Sequence, residues 1–574
     1  MLGSIAGFWI SIFVLGITFL IFMLVITRSD DSPQITDKTV LHICLSNDIM
    51  EREVPMSSIY DIQSYDEDAI YFNDIINAIS AAKKDENIKG IFLECKGSSL
   101  GIASRQEIVN ALADFKTSGK WIYSYADNYT QGDYYIASVS DSIFLNPIGQ
   151  LDIRGLSATT IFYKGLFDKI GIEPQILKVG TYKSAVEPFI LTEMSDASRE
   201  QQMHYLSNIW GTICSDISKF RGVKYESINQ WADSLIATQT PTFYKDYNLI
   251  DRFYYHNDVM RMLHAKLSLE DDEKINLITP NQYCQLTSIY FQDINTEHIA
   301  VLYATGDIVD SGNGGIVGNK IVPQIIDLAN NTNVKGLVLR VNSGGGSAFA
   351  SEQIWKALDE FKQTGKPLYV SMGDVAASGG YYISCGADKI YAEPTTLTGS
   401  IGIFGIILNT QKLINNQLGI TTDNVSTNLN GDFPSIVVPM TAEQKHKMQQ
   451  YIERGYETFI SRCASGRNLN IESIKLIAEG RVWDGKTAKE IGLIDELGGL
   501  QTTINQMKQK LGVENIIEYP IYEQTLLDQL ITSSVQDAQI LCNDFTDLNK
   551  YIKMAARIKR MSQVQCKMED ITIY

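Results

Sequence analysis

Ala376-Ala377-Ser378-Gly379-Gly380-Tyr381-Tyr382-Ile383, continuing through Asp388 and Pro394 to Gly402, is written twice in this chain. The other copy reads Thr130-Gln131-Gly132-Asp133-Tyr134-Tyr135-Ile136, continuing through Asp141 and Pro147 to Gly155, and lies 247 positions earlier. Upstream, Ile88-Lys89-Gly90-Ile91-Phe92-Leu93 pairs with Val334-Lys335-Gly336-Leu337-Val338-Leu339 at an offset of 246, so one residue slips between the blocks. Downstream, Leu249-Ile250-Asp251 answers Leu493-Ile494-Asp495 at 244. A period this long means two duplicated domains rather than a solenoid.

The copies differ in a complementary way. Ser378 of the second copy is Gln131 in the first. Lys183, in Gly180-Thr181-Tyr182-Lys183-Ser184-Ala185, meets Leu429 in the matching block Val425 to Pro434. Independent drift has no reason to remove a serine from one copy and a lysine from the other, so the chain reads as holding one composite Ser–Lys site.

Each copy alternates short apolar runs with amphipathic segments. Ile91-Phe92-Leu93 and Trp121-Ile122-Tyr123 flank a helical pattern over Gln106 to Phe115, and Gly336 to Val341 and Pro367 to Ser371 flank another over Ser351 to Gln363. This order predicts parallel β-α units with buried strands. Long polar helices are expected from Ser195 to Ser218 and from Thr441 to Cys463, as arms suited to subunit contacts. The expected divisions are an N-terminal anchor over 1–29, a first repeat over 30–285 carrying the lysine, a second over 286–511 carrying the serine, and a largely helical tail over 512–574, helical mainly from Leu526 to Arg560.

With 574 residues, 44% of them apolar, the chain suits two cored domains. Its 49 basic and 67 acidic residues give a net charge of −18, which disfavours nucleic acid as a partner. Ile5 to Thr27 holds no charged residue. At about 1.5 Å per residue such a helix crosses a hydrocarbon core of about 30 Å, and the run exceeds the usual apolar core of a cleaved signal peptide. An uncleaved anchor is the expectation, although Arg28 on its C-terminal flank favours a cytoplasmic body. The eight cysteines are scattered and the six histidines join no cysteine cluster, so no zinc site is expected.

Ser378 has small neighbours and precedes a helical Tyr-Tyr-Ile-Ser stretch, where helix N–H groups and positive potential help a nucleophile; an N-cap serine is the plainer reading of the same residues. No G-x-S-x-G elbow is present. Lys183 has no charged face around it, and as a general base it would need a neutral amine, which burial in an apolar cleft between domains favours. No histidine lies in the motif blocks, which makes a Ser–His–Asp triad the poorer choice. Asn342-Ser343-Gly344-Gly345-Gly346-Ser347 follows a buried strand and can aim backbone N–H groups of Gly345 and Gly346 at an oxyanion. Phosphate cradling is the alternative use, but the loop lacks the G-K-[ST] ending. The first copy, Lys96-Gly97-Ser98-Ser99-Leu100, lacks the glycine run.

With these blocks, together with Thr398-Gly399-Ser400-Ile401-Gly402, the chain from about Thr39 to Gln509 resembles signal peptide peptidase A (protease IV) in its long, duplicated bacterial form. The resemblance implies an α/β chain of two tandem crotonase/ClpP-like repeats with parallel-rich sheets and helical arms, plus one N-terminal transmembrane helix. It implies Ser378 as nucleophile, Lys183 as base, and Ser400 as the hydroxyl that orients the lysine. It further implies a homotetramer on the outer face of the bacterial inner membrane, anchored in the bilayer through residues 5–27 and degrading hydrophobic signal-peptide remnants without cofactor or metal. Gly344 stands where the family commonly has proline, and no basic segment precedes the anchor. A silent membrane-tethered scaffold and a crotonase-type acyl-CoA enzyme are the competing readings.

Overall fold

The computed structural model of the protein describes residues 33–46, 49–52, 70–287, 293–312, 314–520 and 565–568. The anchor expected over 5–27 and the tail helix expected from Leu526 to Arg560 lie outside these residues. Among the described residues no helix is long and apolar enough to cross a membrane.

Each repeat builds one parallel-rich sheet. In the first, Arg252–Phe253, Ser142–Leu145, Trp121–Ala126, Ile88–Cys95, Thr39–Leu45 and Leu277–Ile278 lie side by side, all parallel. In the second the order is Val482–Asp484, Leu397–Gly399, Leu368–Ala377, Val334–Ser343, His298–Thr305 and Ile516–Tyr519, with Lys389–Ala392 also pairing Leu368–Ala377. The strands are apolar on both faces because helices cover both. Ile91, Leu93 and Ile122 point into one core and Phe92 into another, all fully buried. Each such side chain stabilises by about 1.5–3 kcal/mol on burial.

Both arms are helices of 26 residues, Asp196–Arg221 and Ala442–Arg467. Their starts are set by side chains: Ser195 Oγ accepts from the Ser198 N–H at 3.1 Å, and Thr441 Oγ1 from the Gln444 N–H at 3.2 Å. Left-handed residues end them, Gly222 at φ +65° and Asn468 at φ +51°. The Tyr-Tyr blocks form short helices, Gln131–Ala137 and Gly379–Ser384. Strand Ile516–Tyr519 pairs with His298–Thr305, so the second repeat runs past the expected boundary at 511. The tail is also not wholly helical: Gln565–Lys567 is a strand.

A third sheet joins the repeats. Its order is Ile316–Val317, Ile308–Val309, Gly345–Ser347, Gln565–Lys567, Ile403–Asn409 and Glu173–Val179. Glu173–Val179 comes from the first repeat and pairs antiparallel with Ile403–Asn409 of the second, in register from Val179 opposite Ile403 to Glu173 opposite Asn409. This crossing strand is what carries residues 180–186 of the first repeat into the second.

Candidate active site

Three parallel-sheet loops and the crossing strand converge at Ser378. Strand Leu368–Ala377 ends at Ala377, and Ser378 turns the chain into helix Gly379–Ser384 with φ +55° and ψ −113°. A non-glycine residue there stores about 1–3 kcal/mol of backbone strain, held by its surroundings. Here the Ser378 N–H donates to the Gly399 carbonyl at 2.8 Å and its carbonyl accepts from the Tyr382 N–H at 2.8 Å. Its hydroxyl caps nothing. The plainer N-cap reading is thereby removed, and a strained strand-to-helix turn stands where no elbow motif announced one.

Lys183 reaches this hydroxyl from the other repeat. Its Nζ donates to Ser378 Oγ at 2.8 Å, to Ser400 Oγ at 3.0 Å and to the Ser400 carbonyl at 3.1 Å. Lys183 is 1% exposed and Ser378 0%, an unusual setting for a lysine side chain. Its stem lies in a channel kept open by two glycines. A Cβ on Gly480 would come within 2.7 Å of the Lys183 Cβ, and one on Gly402 within 3.2 Å of its Cδ. By contrast Leu429, the counterpart of Lys183 in the second copy, is 84% exposed in an irregular stretch.

Backbone and side-chain brackets fix the lysine loop. The Tyr182 N–H donates to the Glu479 carbonyl at 2.9 Å. Buried Gln201 donates through Nε2 to the Tyr182 carbonyl at 3.1 Å and to Ser184 Oγ at 3.2 Å, while its Oε1 accepts from the Val482 N–H at 3.0 Å. The Arg481 guanidinium sits over the rings of both Tyr182 and Trp483, at 4.6 and 4.4 Å. Gln201, Gly480 and Arg481 were not legible as site residues, since each acts through a contact between segments far apart in the chain. The only hint was Gly480 beside a charged pair with no turn motif.

Gly345 and Gly346 lie in the neighbouring loop, at φ +100° and +156°. Gly346 has no room for a side chain, because a Cβ would lie 2.0 Å from the Ile308 carbonyl oxygen. The loop abuts the serine helix through Gly380, where a Cβ would meet the Ser343 carbonyl oxygen at 2.5 Å. The Gly345 N–H donates to Ser343 Oγ at 3.1 Å. Strand Gln565–Lys567 runs antiparallel along Gly345–Ser347, with the Met568 N–H donating to the Gly344 carbonyl at 2.7 Å and Lys567 paired with Asp307 at 2.9 Å. The tail thus borders the site, a placement the sequence did not suggest.

The arrangement of a duplicated α/β chain with a buried amine against a strained serine belongs with the serine peptidases, and comparison with known proteins specifies which. Residues 114–270 and 360–514, one stretch per repeat, match the model for Peptidase family S49. Protease 4 of Salmonella typhi is 37% identical over 475 residues, covering 80% of this chain and 75% of that protein. Protease 4 of Haemophilus influenzae is 36% identical over 448 residues, covering 76% and 72%. The chloroplastic serine protease SPPA of Arabidopsis thaliana is 29% identical over 476 residues, covering 81% and 68%. The chain belongs to peptidase family S49, with the family's domain present twice. Neither a silent scaffold nor an acyl-CoA enzyme fits that membership.

Proposed function

We propose that this peptidase is a membrane-anchored endopeptidase working through a Ser378–Lys183 dyad, and that it degrades cleaved signal peptides and other hydrophobic peptides at the bilayer. The observation that carries the reading is the 2.8 Å contact between Lys183 Nζ and Ser378 Oγ, two buried groups contributed by different repeats. Neutral Lys183 takes the hydroxyl proton as Ser378 Oγ attacks the peptide carbonyl. Backbone N–H groups of Gly345 and Gly346 hold the oxyanion, the Gly345 N–H turning to it from Ser343 Oγ, and the ammonium of Lys183 protonates the departing amine. Water then cleaves the acyl-enzyme, again with Lys183 as base. Ser400 aims the amine. No metal or nucleotide enters the scheme.

Each repeat is read as a crotonase/ClpP-like unit, anchored through residues 5–27 with the body on the outer face of a bacterial inner membrane, and the chains as a homotetramer. The test is hydrolysis of a hydrophobic, signal-peptide-like fluorogenic peptide by wild type, Ser378→Ala and Lys183→Ala, with folding and mass checked. Turnover lost in both variants, in folded protein of unchanged mass, is the expected result. Activity surviving in either variant would remove the dyad.

A further inference from the structure

The tail strand shows how an extended chain lies beside Ser378. Gln565–Lys567 runs antiparallel to Gly345–Ser347, with Lys567 opposite Gly345, Cys566 opposite Gly346 and Gln565 opposite Ser347. The Met568 N–H continues the ladder by donating to the Gly344 carbonyl at 2.7 Å. On its other edge the strand pairs with Ile403–Asn409, Gln565 opposite Phe404. Gly345 and Gly346 are the proposed oxyanion donors, so a peptide whose carbonyl reaches Ser378 has this edge beside it. Main-chain pairing to such an edge is a general way for extended peptides to bind. Residues 565–568 therefore mark main-chain positions that a substrate takes by displacing them.

Side chains alternate along a strand, which gives each position its own surroundings. Met568 is buried in the core cluster that also holds Ala377, Leu397, Val482 and Leu151, and Ala377 directly precedes the nucleophile. Lys567 takes the opposite face. Its Nζ lies 2.9 Å from Asp307 Oδ1 and 3.0 Å from Oδ2, with 6% of the lysine side chain exposed. Asp307 leads into strand Ile308–Val309, which lies on the far side of Gly345–Ser347 in the sheet. Neighbouring strands are about 4.8 Å apart, so this pair spans about 10 Å, a gap that a lysine stem and an aspartate close between them and a short side chain does not. Gly345 and Gly346, lying in between, put no side chain in the way.

The carboxylate is held where a substrate can use it. The Asp307 carbonyl accepts from the Ile316 N–H at 2.9 Å, the Gly306 N–H donates to the Asn342 carbonyl at 2.9 Å, and a Cβ on Gly315 would lie 2.4 Å from the Asp307 carbonyl oxygen. The neighbouring acid, Asp310, is taken up by Ser347 Oγ. Asp307 keeps 38% of its side chain exposed even with the lysine on it. We propose that Asp307 is a specificity-determining residue, selecting a lysine or arginine in the substrate immediately before the apolar residue seated beside Ser378. Lysine offers a point charge equidistant from both oxygens, and the longer arginine can pair with them bidentately. A basic residue followed by an apolar one is the junction between the charged start and the apolar core of a secretory signal peptide. The inference rests on the peptidase reading of Ser378 and names, among its hydrophobic substrates, those cut at this junction.

The test uses the full chain in detergent and fluorogenic peptides of one apolar sequence, each ending in methionine before the reporter amide. The residue before that methionine is lysine, glutamate or norleucine, which keeps most of the lysine stem without the charge. In wild type kcat/KM should favour lysine over norleucine by on the order of tenfold, as for a hydrogen-bonded charge pair. Moving the lysine one residue earlier should abolish the advantage. Asp307→Asn should bring the ratio close to one, and Asp307→Lys should favour glutamate over lysine. A ratio measured within one protein does not depend on how much of it is folded. Fluorescence polarisation of the same peptides, labelled, on Ser378→Ala should give the same order without chemistry. A preference in binding with no turnover in wild type would therefore fault the dyad and not the subsite. Equal handling of lysine and norleucine by wild type, in turnover or in binding, or a preference that survives in Asp307→Asn, would overturn the proposal and leave Lys567 and Asp307 as a contact of the tail alone.

Discussion

The two repeats share a frame around their Tyr-Tyr helices and differ at the proposed site. Tyr134 Oη donates to the Leu249 carbonyl at 3.0 Å, and Tyr381 Oη to the Leu493 carbonyl at 2.9 Å. Asp141 accepts from the Ile122 N–H and Asp388 from the Leu368 N–H, both at 2.8 Å. Asp251 and Asp495 do the same for Ile143 and Ile390, again at 2.8 Å. At the site the likeness stops. Gln131, in the place of Ser378, accepts from the Arg154 and Gly155 N–H groups at 2.8 and 2.9 Å and closes its own loop. Asp133, in the place of Gly380, takes up the Gly97 N–H at 2.9 Å and Ser98 Oγ at 2.9 Å. The first copy thus closes its own loops with an amide and a carboxylate, at positions where the second has Ser378 and Gly380. Buried polar groups must find partners, so a repeat that gives up its site has to fill it.

The sharpest way to break this comparison is to treat both copies alike. Lys183→Met removes the proposed base and should lower kcat on the order of 10²–10⁴-fold, the usual range for a positioned proton-transfer group. Gln131→Ser restores a hydroxyl to the first copy, where no lysine reaches it, and should leave kcat/KM within about twofold of wild type while lowering the melting temperature. Steady-state kinetics on both variants decides it: a Gln131→Ser enzyme that gained activity, or a Lys183→Met enzyme that kept it, would mean the copies are not divided as described.

A second pair compares glycines. Gly480, at φ +79°, backs Lys183, and a methyl group there has nowhere to go; Gly155, at φ +81°, faces open space. Gly480→Ala should displace the amine and cut kcat by on the order of 10²-fold, with KM little changed. Gly155→Ala should cost about 1 kcal/mol of stability through its left-handed backbone and leave kcat alone. Equal effects of the two substitutions on kcat would argue against Gly480 as the wall of the lysine channel.

The duplication, the buried strands, the long helices and the meeting of Ser378 with Lys183 were legible because each leaves a mark in one line of sequence: a period, an alternation, or a residue present in one copy and missing from the other. The fold's third sheet left no such mark. Its pairing of Glu173–Val179 with Ile403–Asn409 joins segments over 200 positions apart, and neither strand has a matching strand in the other repeat. The same holds for Gln201 and Gly480, which act on Lys183 only through that crossing. Strand Gln565–Lys567 lies beyond the helix expected from Leu526 to Arg560 and has no mark in the sequence, since three residues give no periodicity to read and the pairing partner is a glycine loop.

The contact between the repeats at Asn110 and Glu393 carries a pH dependence at a position where the first copy has none. Burial pushes the Glu393 carboxyl up to about 8, with buried Glu107 adding repulsion and Asn110 and Arg340 opposing it. At the equivalent position the first copy has Asn146, which does not titrate. A carboxyl whose folded pKa is raised binds its proton more tightly folded than unfolded. Its contribution is therefore most favourable below about pH 4.5, declines as pH rises through the interval up to about 8, and is flat above it. Glu393→Gln keeps the Asn110 contact without the ionisation, so its melting temperature should fall less than that of wild type between pH 5 and pH 8, by on the order of a few degrees. Parallel melting curves for the two proteins would mean that Glu393 is hydrated in solution and that the contact is looser than its 3.0 Å bond to Asn110 describes.

The smallest expected effect concerns the strand that no repeat explains. Gln565–Lys567 fills the space between Gly345–Ser347 and Ile403–Asn409, pairing with Gly345 and Gly346 beside the dyad and with Phe404 on the other side. An extended peptide reaching Ser378 would seek those same edges, since added strands bind through unpaired main-chain groups. Truncation after residue 564 should accordingly lower KM for a hydrophobic peptide a few-fold at unchanged kcat, and a synthetic peptide of residues 565–574 should compete with substrate. Lys567→Glu, placed against Asp307, should move KM in the same direction by less. A truncation that raised KM, in folded protein of wild-type mass, would instead make the strand a wall of the groove, and the asymmetry between the repeats would then extend to a segment that only the second one uses.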